Sequence, residues 1–126
     1  MILAALPSFG ADGQRAQEIK IAGKIQHLVQ DDQKHFCLSN GCLKPEGAWS
    51  CAAFDALKSA SLRDLPVDAL NGGINPGAVL CRRVSGQVVL GTDSSGNDVL
   101  LCRFKDKSLA TADSLDAYAN LNDSKK

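Results

Sequence analysis

Residues 14–34 run Gln14-Arg-Ala-Gln-Glu-Ile-Lys-Ile-Ala-Gly-Lys-Ile-Gln-His-Leu-Val-Gln-Asp-Asp-Gln-Lys34, and the period assigned to them decides the fold. At helical spacing, Ile19, Ala22, Ile25 and Val29 share one face, with Ile21 and Leu28 beside them. Lys20, Lys24, Gln26 and Gln30 then point outward. At period two, Glu18-Ile19-Lys20-Ile21 alternates and Gly23 interrupts, which favours a strand over 18–22 instead. The longer match carries the segment to a helix. That choice predicts an α+β protein, a helical first half packed on a helix–β-hairpin–helix second half.

Working outward, Cys37-Leu-Ser-Asn-Gly-Cys42 reads as a turn, and Pro45 followed by Glu46 as a helix start. Trp49, Ala52, Ala53, Ala56, Leu57 and Ala60 continue as a helical stripe, widened by Cys51 and Phe54 and ending near Leu62. Asn71-Gly-Gly73 is a breaker. Asn75 then caps a helix with Pro76 at its first position, carrying Ala78, Val79 and Cys81, and Gly86 terminates it. Gln87–Asp93 and Asp98–Phe104 are β-rich runs joined by Ser94-Ser-Gly-Asn97, a hairpin signal. A last helix follows Thr111 or Ser108 as cap, with Ala112, Leu115, Tyr118 and Ala119 on one face. The organisation expected is an apolar arm or signal remnant (1–11), a helical cysteine-containing region (12–70), a helix–hairpin–helix module (71–121) and a polar tail (122–126).

Lys plus Arg and Asp plus Glu each number 14 in the 126 residues, so the net charge is zero and a binder of nucleic-acid phosphates is not expected. Hydrophobic residues at 44% against 22% charged exclude compositional disorder. No apolar run approaches the ~20 residues of a transmembrane helix. Five cysteines, Cys37, Cys42, Cys51, Cys81 and Cys102, leave one thiol over if the others pair. Met1–Ala11 has a short apolar stretch, Pro7, and small residues at Ser8 and Gly10. It reads as the late part of a secretory signal, with an apolar N-terminal arm as the alternative. A periplasmic or secreted protein is expected, without a lipid anchor.

The run Asn75-Pro76-Gly-Ala-Val-Leu-Cys81-Arg-Arg-Val-Ser-Gly86-Gln-Val88, followed by Gly96 and Cys102-Arg-Phe104-Lys-Asp106-Lys-Ser108, resembles a known family. It is similar to a short bacterial exported domain of unknown function that goes under the label hemolysin. The resemblance covers about residues 74–118. Ser85 stands where that pattern has the first glycine of a pair, and Lys107 where it has the glycine of Asp-Gly-Ser. The resemblance implies an exported bacterial protein in which Cys81 and Cys102 correspond to disulfide-forming positions; it implies no catalytic residues. Independently, a helix on a lone hairpin is marginal in water, and a Cys81–Cys102 bridge would add roughly 3 kcal/mol by loop-entropy arithmetic. The alternative is two buried, reduced cysteines.

In the first half, His35, Cys37, Cys42 and Cys51 are zinc-type ligands without the close pairs a structural site uses, so no metal and no cofactor is expected. A disulfide among Cys37, Cys42 and Cys51 is the competing reading, its connectivity open. A Cys/His nucleophile with His27 or His35 lacks a surrounding signature. Trp49 is a weak candidate binding anchor or, more simply, core. Arg82, Arg83 and Arg103, with Lys105 and Lys107, form a basic cluster of the kind that meets anionic lipid or polymer. Asp93, Asp98 and Asp106 nearby favour a solvated face. Gly72-Gly73 lacks the Lys-Ser/Thr ending of a phosphate loop, and Asn122-Asp-Ser124 is a formal glycosylation acceptor on a polar tail. The function expected is non-enzymatic binding of an unknown protein or envelope component. The alternatives are a thiol-dependent enzyme using a first-half cysteine, or a cytosolic interaction protein with reduced cysteines.

Overall fold

Gln14–Lys34 is not a helix. In the computed structural model, which describes residues 13–66 and 68–125, it forms strands β1 (Gln14–Ile21) and β2 (Lys24–Asp31) of a two-residue hairpin. Ala22 and Gly23 make the turn with φ of +52° and +83°. Positive φ at both positions is the turn whose twist matches paired strands, and Gly23 adopts it without a Cβ clash. The stripe inferred at helical spacing is thereby split. Ile19 lies inside a barrel, Ile25 is 52% exposed, and Val29 is fully buried on the sheet face opposite Leu28.

The other strands are β3 (Phe36–Ser39), β4 (Gln87–Asp93), β5 (Asp98–Arg103) and β6 (Leu109–Thr111). They close in the order β1-β2-β3-β6-β5-β4, every pairing antiparallel. The fold is therefore a six-stranded barrel with three short helices, α1 (Ala52–Ser59), α2 (Pro76–Arg83) and α3 (Ala112–Asp123). The expected helical first half is corrected: it contributes three strands and one helix. The residues on either side of Asn71–Gly73 supply strands to one closed sheet. Each side forms a three-stranded meander, β1-β2-β3 or β4-β5-β6, followed by a helix. Met1–Ala11, read above as arm or signal, lies outside the described residues.

Two apolar clusters follow from the alternation along the strands. Ile19, Ile21, Leu28, Cys37, Leu101 and Leu109 meet inside the barrel, with Val89 and Val99 against them. On the outer face, Phe36, Leu38, Cys102 and Ala110 pack under Ala53, Leu57, Leu80, Leu115 and Ala119 of the helices. Closure is narrow at two seams. β4 meets β1 through Ile19–Asp93 and Lys20–Thr92, and β3 meets β6 at Leu38–Ala110. Beside the second seam, hydroxyls replace ladder carbonyls. The Cys37 N–H donates to Ser114 Oγ and the Leu109 N–H to Ser39 Oγ, both at 2.7 Å.

The helix expected from Pro45 begins only at Ala52. Lys44 to Ala48 are folded back instead, with the Lys44 N–H on the Ala48 carbonyl and Leu43 bridged to Trp49. Gly47 at φ +92° cannot continue a helix. Trp49 therefore precedes the helix and does not sit on it. α2 starts as its sequence dictates, Asn75 Oδ1 accepting the Gly77 N–H at 2.7 Å and Pro76 at the first position. Its end is a Schellman motif: the Ser85 N–H donates to the Arg82 carbonyl and the Gly86 N–H to that of Cys81. The left-handed residue is Ser85 at φ +68°, a position that usually carries glycine.

Candidate functional site

Four of the five cysteines are bonded, Cys42 to Cys51 and Cys81 to Cys102. The second bridge ties α2 to β5 and is fully buried, its cysteines 1% and 0% exposed. A Cβ built at Gly86 would land on Cys102 Sγ, so this glycine is the hole into which the bridge fits. Cys37 keeps its thiol inside the barrel, and burial pushes it up to about 12, the Arg15 charge opposing only in part. Such a thiol is neither a nucleophile nor a metal ligand at neutral pH. With Cys42 and Cys51 bonded to each other, the His35/Cys37/Cys42/Cys51 set does not assemble. Among the described residues no three His, Cys, Asp or Glu side chains converge on a metal-sized site.

The Asp106-Lys107-Ser108 turn between β5 and β6 caps a helix more than fifty residues away in sequence. Asp106 Oδ2 accepts the Ala52 N–H at 2.8 Å and Ser108 Oγ the Ala53 N–H at 2.9 Å. Cys51 Sγ takes the Phe54 N–H at 3.3 Å and the Cys51 carbonyl the Asp55 N–H, so the first turn of α1 is satisfied. Desolvation pushes the Asp106 carboxyl up. The bonds from the Ser108 hydroxyl, Ala52 N–H and Ser108 N–H outweigh it and hold the group below the ordinary aspartate value.

Next to this cap, α1, the end of α2 and the segment after β5 enclose an open cleft of about 500 Å³. Ala52, Ala56, Val84 and Phe104 supply its apolar surface; Arg83, Lys105, Asp55, Ser59, Ser61 and Ser85 supply the polar groups. Arg83 is exposed and donates through Nη1 to the Ser61 carbonyl at 3.1 Å, which orients the side chain, and its guanidinium makes no other hydrogen bond among the described residues. The far side of that anchor is Asp123. It accepts from Ser61 Oγ at 2.6 Å and the Leu62 N–H at 2.9 Å, and pairs with Arg63 at 3.4 Å. Those two hydrogen bonds first, and then the charges of Arg63 and Arg83, hold the Asp123 carboxyl low against a smaller desolvation effect.

Of the basic cluster noted in the sequence, the structure brings Arg83 and Lys105 into this cleft. Arg82 is exposed on α2, and Arg103 is half-buried on β5 opposite Gln87 and Leu109. Lys107 lines a different hollow together with Cys42, Cys51 and His27. Trp49 packs edge-on against Phe36, ring centres 4.7 Å apart, and its indole N–H is buried. His27 sits 3.7 Å from Glu18 on the exposed barrel surface, while His35 lines a third hollow with Asp98 and Asp113. Ser59 and Ser61 went unnoticed in the sequence, and Ser85 was noted only as a replacement for a glycine, because the three come from separate segments and carry no spacing signal. No family model, curated protein or solved structure matches the chain.

Proposed function

We propose that this is a small exported bacterial binding protein, non-enzymatic and stapled by disulfides, that grips a carboxylate-bearing segment of a protein partner in the α1–α2 cleft. The observation that carries the reading is the placement of Arg83, pre-positioned by Ser61, with Lys105 beside an apolar surface of Ala52, Ala56, Val84 and Phe104. A guanidinium already held in place loses less freedom on pairing with a carboxylate, and apolar surface beside it supplies affinity. Two disulfides are compatible with an oxidising extracytoplasmic compartment, and no described helix is long and apolar enough to cross a membrane.

Two positions at which the chain departs from the hemolysin-labelled pattern take a left-handed backbone. Ser85 and Lys107, where that pattern has glycine, adopt φ of +68° and +72°. Both are conformations in which glycine is at ease and other residues are strained. We read the label as a name and the mechanism as binding.

The test is a titration of the isotope-labelled protein with a blocked tetraglutamate peptide at neutral pH. Saturable shifts confined to the neighbours of Arg83, Lys105 and Ser85, weakened by salt and lost in Arg83→Ala/Lys105→Ala, are expected. Shifts that do not saturate, or that survive the double variant, overturn the proposal.

A further inference from the structure

The two disulfides are chemically unequal. Cys81–Cys102 lies under α2 with no exposed sulfur. Cys42–Cys51 lines an open hollow of about 450 Å³ between the turn after β3 and the β5–β6 turn. There Cys51 is half-buried and Cys42 is 1% exposed, so Cys51 is the end of the bond that a reductant reaches first. Lys44, Lys107 and His27 line the same hollow, and Asp106, its one acidic group, is already engaged by the Ala52 N–H and Ser108. The Cys51 sulfur also caps the eight-residue helix α1 through the Phe54 N–H. A cysteine sulfur with a backbone N–H donor at a helix start is stabilised as thiolate, the Lys44 and Lys107 charges in the hollow adding to this and the Asp106 carboxylate opposing it.

Other contacts hold the same region. Asp106 and Ser108 hold the first two N–H groups of α1 whether or not the sulfurs are joined, and the barrel closes without residues 42–51. The bond spans 9 residues against 21 for the other, so it also contributes less loop entropy.

We propose that Cys42–Cys51 is a thiol–disulfide exchange site for a dithiol reductant, while Cys81–Cys102 is a permanent staple. One thiolate of the dithiol attacks Cys51 Sγ; the Cys42–Cys51 bond breaks, and its electron pair leaves on Cys42 Sγ, which takes up a proton. The reductant's second thiol loses its proton, attacks the reductant sulfur bound to Cys51, and expels Cys51 as a thiolate at the start of α1. Two electrons pass to the protein and the reductant ends as a disulfide. Exchange here is independent of the anion cleft.

The experiment treats the full oxidised chain with dithiothreitol at graded reduced-to-oxidised ratios, quenches by alkylation and maps the label by mass spectrometry. Far-UV circular dichroism follows the fold, and the fluorescence of the single tryptophan, Trp49, two residues from Cys51, follows the exchange. The expected result is label on Cys42 and Cys51 at least about tenfold faster than on Cys81 and Cys102, with the β-sheet signal retained. In Cys42→Ser, Cys51 is expected to alkylate with an apparent pKa below the ordinary value of about 8.5. The proposal is overturned if both bonds open together with loss of the fold, if Cys81–Cys102 opens first, or if Cys51 in the variant titrates at or above the ordinary value.

Discussion

At the scale of single residues, five described non-glycine residues adopt left-handed backbone, Ser85 and Lys107 among them. Ser85 closes α2 at φ +68° and Lys107 turns β5 into β6 at φ +72°. Relief of that strain, about 1–2 kcal/mol, exceeds the extra unfolded-chain entropy of glycine, about 0.4–1 kcal/mol. Ser85→Gly and Lys107→Gly are each expected to raise stability by about 0.5–1 kcal/mol in chemical denaturation, from the difference of those two terms. Gly86 is the opposite case, since a methyl there collides with the buried disulfide. Gly86→Ala is expected to lose about 2 kcal/mol or more by overpacking. Most of that loss should vanish when Cys81 and Cys102 are both replaced by alanine. The Cys37 thiol, held near 12 by burial, is expected to stay silent to a thiol reagent at pH 8 in the native protein and to react once on denaturation.

At the scale of elements, the start of α1 and the β3–β6 seam rest on side chains distant in sequence. Ser114 Oγ receives the Cys37 N–H where the ladder has run out. Ser114→Ala leaves that buried donor unpaired and is expected to cost about 1–3 kcal/mol. Asp106 caps α1 as an anion, and its folded pKa lies below the unfolded one. Its contribution is therefore fully present above the unfolded aspartate value of about 3.9 and disappears as pH falls through the lower folded value. Asp106→Asn is expected to flatten the acid limb of the stability–pH curve below about pH 4, read by thermal melts across pH 2–6. The sequence made the cap of α2 legible, because Asn75 and Pro76 adjoin the helix they start. The cap of α1 was not legible, since Asp106 and Ser108 reach it only after the barrel closes.

At the scale of the whole molecule, closure removes sheet edges and leaves the helices on the outer face, where the two bridges act differently. The Cys81→Ala/Cys102→Ala variant is expected to lose about 3 kcal/mol of oxidised-state stability by the loop-entropy relation, and the Cys42→Ala/Cys51→Ala variant about 0.7 kcal/mol less. Denaturation of the two double variants side by side checks the order. A reversed order would mean that packing around the shorter bridge outweighs chain entropy.

Local chemistry in the sequence determined the β4–β5 hairpin, the capped start of α2, the final helix, though not which of Thr111 and Ser108 caps it, and the pool of cysteines. In each case the residues that set the conformation are neighbours in the chain. Tertiary structure decided the hairpin at Ala22–Gly23. Ile19, Ala22, Ile25 and Val29 satisfy a helical period as well as a strand, and Ala22 lacks the usual turn signature. Only pairing of β1 with β4 and burial of Ile19 and Ile21 inside the barrel break that tie. The barrel, the cross-chain cap of α1 and the cleft of Arg83 and Lys105 share this origin. They depend on contacts between distant residues, whose closure the hydrophobic core stabilises and no local pattern records.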